Sequence, residues 1–318
     1  MNAVAATVRA ETFKLLRKRR LYVLAFLYWV LLPAVALLVG RLLFTNLSEF
    51  EREGLPVTDL MQSLFSAHGL ASIALAGPAY MSPTAYIIGV VLLAALFIGE
   101  ERGQNMWKTV LVVQPDRPAV LTGKLIVTMG ALLVLMLGAF LSSIVFGTVG
   151  MSFLPTDLSG DWLGLLALYL WQWAHLLAAV LLAFLLVFLV RSAVLGIVMV
   201  LLLPGLIEGL YSVLNTLFNL QPLTRFNAIF QALRLQRVWE AAPRYFFTTN
   251  LYAPGRSPAR DVAAELLASA PSGPQELGPL QQLIGGGVSL GHASAVMAGY
   301  AVVFGVLLFW LFRRRDVD

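Results

Sequence analysis

Few side chains in this 318-residue sequence could do chemistry. The three histidines, His68, His175 and His292, lie far apart and form no H-E-x-x-H pair, the spacing that sets two imidazoles on one helix face above a zinc ion. Gly123-Lys124 is followed by Leu125 and lacks the upstream glycine of a G-x-x-x-x-G-K-[ST] loop, so the chain is not expected to hydrolyse ATP. There is no G-x-S-x-G, and Ser142, Ser143 and Ser192 lack a matching His/Asp arrangement. The absence of cysteine removes disulfides, thiolate metal sites and a cysteine nucleophile. We expect no catalytic residue and no metal site.

Two polar groups remain inside apolar stretches, where ionisable side chains are functional candidates by default. His175 sits beside Trp171 and Trp173. It reads as a group on a translocation path or as an interfacial anchor of the kind tryptophans mark. Glu208 follows Pro204 and Gly205, roughly 22 Å along the helix axis from Ala193. Pro204 could break the helix and turn backbone groups toward a cavity. Alternatively, Glu208 marks the end of a span. Gly205 and Gly209 make a small-x-x-x-small pair suited to close helix packing.

The elements that must position these residues are membrane helices. The sequence is 59% hydrophobic and 12% charged, against about 45–50% and about 25% in soluble domains, and its mean hydropathy is +0.82. Lipid must cover what one soluble core cannot hide. Six stretches are long enough to cross about 30 Å of hydrocarbon at about 1.5 Å per residue: Leu21–Leu43, Thr84–Gly99, Leu125–Val149, Leu163–Val190, Ala193–Leu214 and Gly291–Phe312. The second is the weakest. Pro78 and Pro83 interrupt it, so its helix starts either near Leu70 with a kink or after a short interfacial helix. The first follows a basic lead but is about 20 residues long, more than a signal-peptide core of about 7–15 residues, and reads as a retained span. The expected fold is all-α, one membrane domain over residues 1–318, with 215–290 as an extracytoplasmic loop.

Charge sets the orientation. With the N-terminus inside, Met1–Arg20, Glu100–Lys124, Arg191 and the tail after Phe312 hold 14 of the 22 basic residues. The outside loop Phe44–Met81 has only Arg52 against Glu49, Glu51, Glu53 and Asp59. An even number of spans returns Arg313, Arg314 and Arg315 to the cytoplasm, whereas a further span at Leu60–Ala79 would break the agreement. The net charge of +5 therefore reflects membrane topology, and no nucleic-acid partner is expected. In Met1–Arg20, Val4, Val8, Leu15 and Leu16 recur at helical spacing among Arg9, Lys14, Arg17 and Lys18, either as an amphipathic helix in the inner interface or as a plain positive anchor. Arg41 should snorkel at the outer end of the first span.

The most informative stretch is Phe97–Leu125, FIGEERGQNMWKTVLVVQPDRPAVLTGKL. A span runs into Glu100, Glu101, Arg102 and Gly103. A short amphipathic piece follows, with Gln104, Asn105, Trp107 and Lys108, and Gln114-Pro115 ends it because proline disfavours helix in the residue before it. Asp116 and Arg117 come next, and Lys124 opens the third span. Charges at both membrane boundaries frame a helix of about ten residues parallel to the membrane, a geometry suited to a lever and equally to a solvated loop with snorkelling ends.

The order of these features resembles the ABC type-2 class of exporter permease subunits. The likeness lies in the N-terminal helix, six spans, the acidic-basic-Gly run after span two, the Pro-x-Arg turn, Gly-Lys before span three, the long loop before span six, and the ending Phe312-Arg313-Arg314-Arg315-Asp316. The resemblance implies that Gln104–Asp116 is a coupling helix docking on a separate ABC ATPase subunit that binds ATP and magnesium. It places Glu100, Glu101 and Arg102 at the hinge, and Arg117 and Lys124 at the return. Arg191 with Ser192 becomes a second, smaller contact, and the long loop becomes helices closing the exit. It also implies two permease chains, identical or homologous, in a bacterial inner or plasma membrane. Two other readings stay open: a lipid-acting membrane enzyme using His175, Glu208, Arg225 or Arg244, and a non-transporting scaffold or immunity protein. The substrate is not encoded in any motif.

Overall fold

The computed structural model describes residues 3–46, 64–80, 116–190, 193–219, 236–257 and 288–314. The predicted second span, Thr84–Gly99, and the elbow from Glu100 to Pro115 lie outside them. The described chain is helical nearly throughout. Helix α1 (Ala3–Leu16) leads into α2 (Arg19–Thr45), which contains a π-helical turn at Leu27–Leu31. Then come α3 (Ala67–Tyr80), α4 (Arg117–Gly150), α5 (Trp162–Val190) and α6 (Ala193–Asn219). Short helices α7 (Gln236–Ala241) and α8 (Phe247–Leu251) flank a 3-10 turn at Ala242–Tyr245. The last helix is α9 (Leu290–Arg314). Among the described residues α2, α4, α5, α6 and α9 are long and apolar enough to cross a membrane.

Side-chain contacts fix the relative directions. Trp29 donates its indole N–H to Leu135 O at 2.9 Å, and Arg41 near the far end of α2 reaches Phe153 O at 3.0 Å, so α2 runs parallel to α4. Along α5, Trp162 and Tyr169 meet Phe140, and Trp173 donates to Met129 O at 2.9 Å, so α5 runs antiparallel to α4. Phe188 meets Phe312 while His175 meets Ser294, which makes α9 parallel to α5. The starts of α2 and α4 and the ends of α5 and α9 therefore share one face of the bundle. The core is built around α5, whose residues from Ala178 to Phe188 are buried on every side.

Part of what the sequence reading places in the outside loop Phe44–Met81 is packed helix. Ala67, Leu70, Ala71, Ala74 and Leu75 form one buried stripe along α3, at the spacing of a single helix face. Ala67 lies against Gly147 near the C-terminal end of α4, and Tyr169 donates to Ala71 O at 2.8 Å. The stripe thus runs into the bundle from that end, before Thr84. The alternation of alanine and leucine suits a close helix–helix seam, which Pro78 obscures in a reading for span length.

Gly147 and Gly130 test this packing. A Cβ at Gly147 would overlap the Ala67 backbone, whereas at Gly130 it would meet nothing within 4 Å among the described residues. Gly147→Val should destabilise the protein by about 1–3 kcal/mol through overpacking, while Gly130→Ala should be neutral or stabilising by up to about 1 kcal/mol through helix propensity. Unfolding of the two variants in detergent, followed by helical circular dichroism, checks this ordering.

Candidate functional site

The face shared by the starts of α2 and α4 begins at Asp116, directly after the stretch read from the sequence as an elbow. Asp116 caps α4, its Oδ1 accepting the Ala119 N–H at 3.3 Å, and Pro118 in the first turn has no N–H to leave unpaired. One turn further on, Gly123 and Lys124 meet α1. A Cβ at Gly123 would come within 2.6 Å of the Thr7 methyl, so only glycine lets α1 lie this close. The Lys124 ammonium is fully buried and pairs with Glu11 Oε1 at 3.1 Å, and the same oxygen meets Lys14 Nζ at 3.0 Å. Lys124, which the resemblance implies lies at the return of the elbow, is paired within the chain, with Glu11 of α1.

The packing of α1 also differs from the expected amphipathic pattern. Its buried stripe is Thr7, Glu11 and Leu15, while Phe13 and Leu16 are exposed. The helix docks on α4 through a partly polar seam of Thr7, Glu11 and Leu15 and turns Phe13 and Leu16 outward. Arg17 stacks its guanidinium 4.1 Å from the Phe13 ring centre. Glu11 escaped the sequence reading. It is the sole acid among twenty residues of a basic segment, which was the available signal.

The second constellation joins α5, α6 and α9 to the segment 239–253. Val187 packs against Gly196 where α5 turns into α6. His175 and Glu208 lie equal numbers of residues from that contact, about 18 Å along each helix, so they stand at one level. They meet the same short segment from two sides. Glu208 accepts the Thr248 backbone N–H at 2.8 Å and the Thr248 hydroxyl. Asn250 O accepts from His175 Nδ1–H at 3.1 Å, while His175 Nε2 meets Ser294 Oγ at 3.0 Å. Gln172 donates to Leu251 O at 2.8 Å, Tyr211 to Trp239 O at 2.9 Å, and Tyr300 to Tyr245 O at 2.9 Å. Asn250 is itself fully buried and donates through Nδ2 to Arg244 O and Phe246 O.

This segment is not a free loop. It is a plug of short helices seated among three spans, with backbone groups at the helix ends and the 3-10 turn bonded by side chains from all of them. Irregular backbone survives at membrane depth only when protein supplies such partners. His175 and Glu208, read from the sequence as a possible path, are here engaged in holding the plug. Arg244 contributes its carbonyl, and Arg225 lies outside the described residues, as does Arg191. The polar cluster that a lipid-acting enzyme would need does form at one depth, but its hydrogen-bonding groups are taken up by backbone. Gln172, Thr248 and Asn250 were missed because each is an ordinary polar residue until the fold brings them together. Gly205 and Gly209 have nothing within 4 Å of a would-be Cβ among the described residues, so that pair does not pack helices within this chain.

The Lys124–Glu11 pair makes an asymmetric prediction. Glu11→Gln leaves a buried ammonium without this carboxylate and should cost about 3–5 kcal/mol, whereas Glu11→Leu with Lys124→Met, which removes both charges, should recover most of the loss. Thermal unfolding of the two proteins in one detergent is the measurement. Equal stability of Glu11→Gln and the parent would refute the pairing.

A family model described as ABC-2 family transporter protein matches residues 7–204, well over half of the chain. It begins within α1 and ends at Pro204 in α6, so it takes in the α1–α4 junction and stops short of the plug. No match was found among curated proteins or among solved structures. The described helices are those of a multi-pass membrane protein, and the chain belongs to the ABC-2 transporter family as its membrane-embedded permease component.

Proposed function

We propose that this chain is the permease subunit of an ATP-driven exporter, with both termini in the cytoplasm, energised by a separate ABC ATPase that binds ATP and magnesium. The observation that carries this reading is the junction of α1 with the root of α4. Asp116 caps the helix there, and the buried Lys124–Glu11 pair bolts α1 to it, immediately after the elbow Glu100–Arg117. A force applied at Gln104–Asp116 would move a braced unit of two helices, α1 and α4, and not one flexible helix end. At the opposite end the plug closes the bundle between α5, α6 and α9, where an exporter needs a gate. Rearrangement of packed helices as rigid bodies is an established mode of such transitions.

In this reading the exposed face of α6 meets a second permease chain. Leu202, Leu206, Ile207 and Leu210 are exposed there, beside Gly205 and Gly209. Small residues allow the close backbone approach on which association within a membrane relies. Two such chains would enclose the path between them.

Exchange of charge at the hinge tests the coupling. In a complex co-expressed with a candidate P-loop ATPase partner, Glu101→Arg combined with Arg102→Glu should lower ATPase recovery about tenfold or more, equivalent to about 1.4 kcal/mol. The permease itself should still fold, with an unchanged melting profile. Undiminished recovery of the ATPase with the swapped chain would count against the elbow as the docking site.

A further inference from the structure

Between α1, α2 and α4 lies a cavity of about 480 Å³, within the range of about 300–1,000 Å³ typical of ligand pockets. One wall runs from Leu21 to Trp29 on α2 and the other from Ile126 to Leu135 on α4. Each wall is about 12–14 Å long, close to the depth of one leaflet in a hydrocarbon core about 30 Å thick. Val8, Thr12 and Leu15 of α1 form the base. The Trp29–Leu135 hydrogen bond closes the far end, and the π-helical turn lies there, a distortion frequent at functional sites. Gly130, where a side chain would meet nothing within 4 Å among the described residues, makes the room.

The lining carries no charged group, so a water-soluble anion would find no partner inside. The near end is different. Leu16 and Leu21 both line the cavity, and the residues joining them are Arg17, Lys18, Arg19 and Arg20. Glu11, the acid closest in sequence, is turned inward to Lys124. Exposed Phe13, Tyr22 and Phe26 flank the run, as side chains facing lipid would.

We propose that this cavity holds one anionic glycerophospholipid, an acyl chain between α2 and α4 and the phosphate against the basic run 17–20. The depth matches a chain in one leaflet, and the positive rim at an uncharged slot favours an anionic over a zwitterionic head. The proposal does not depend on ATP coupling. It implies that α1 is seated partly on lipid, so the unit at the root of α4 includes a bound molecule.

Native mass spectrometry of the full chain, released from micelles with phosphatidylglycerol and phosphatidylcholine of identical chains in equal amounts, tests it. The parent protein should retain one phosphatidylglycerol per chain, at least about tenfold over phosphatidylcholine. Gly130→Leu, which fills the slot from an open position, should lose the retained lipid while keeping its melting profile, and Ala131→Phe is the second blocking variant. Arg19→Gln with Arg20→Gln should abolish the preference between heads but still retain a lipid. Equal retention of both lipids by the parent, or undiminished retention by both blocking variants, would overturn the proposal. So would efficient cross-linking of two copies through Ala131→Cys, since a second chain would then be the occupant. Glycerol phosphate without acyl chains should fail to displace the lipid, and displacement would show that the slot is not what holds it.

Discussion

A lysine ammonium with no access to water needs partners for its charge and its hydrogen bonds, and at the root of α4 that requirement governs how this end of the bundle is built. Lys124 is fully buried, and Glu11 answers it from α1. Taking both ions out of water is expensive, and the pair is no guarantee of stability over an apolar replacement. What it does is specify. Only one rotation and one depth of α1 bring Glu11 to Lys124, with Thr7 against Gly123 and Leu15 in the core. The exposed Phe13 and the cavity behind α1 follow from that placement.

A second constraint acts at the other end. Between hydrocarbon walls a backbone cannot leave its N–H and C=O groups to solvent. The short helices and 3-10 turn between residues 236 and 251 break the regular pattern that would satisfy them. Gln172, His175, Glu208, Tyr211 and Tyr300 supply the missing partners, each from a long helix whose own backbone needs none. Such a plug is held by many separate bonds, distributed over three spans. A relative displacement of α5, α6 and α9 would strain all of them together, which is how movement at one end of the bundle could release the other.

Much of this architecture was legible in the residues. The long apolar runs gave the helices α2, α4, α5, α6 and α9, because length and uniform hydropathy suffice to mark a crossing. The family was legible from the order of charged breaks between them. α3 starts at Ala67, close to the Leu70 start that was one of the two readings of this stretch, but its seam was not legible, because only packing against Gly147 and Tyr169 makes its alanines and leucines core. Glu11 was hidden in a segment whose obvious property was positive charge. His175 and Glu208 stood out as polar groups in apolar helices, yet their partners are backbone atoms of Thr248 and Asn250, and no spacing in the sequence joins positions so far apart.

Coupling of the proposed kind requires a mechanical connection between the root of α4 and the plug at the opposite end of the bundle. The natural absence of cysteine gives a clean probe: Ala253→Cys, at a buried position beside Leu251, labelled with a membrane-impermeant maleimide in the permease–ATPase complex. Trapping the ATPase with a non-hydrolysed ATP analogue should raise the labelling rate several-fold, and the Glu101→Arg, Arg102→Glu chain should show no such rise. Labelling that is indifferent to nucleotide in an intact complex would contradict the connection between the two ends.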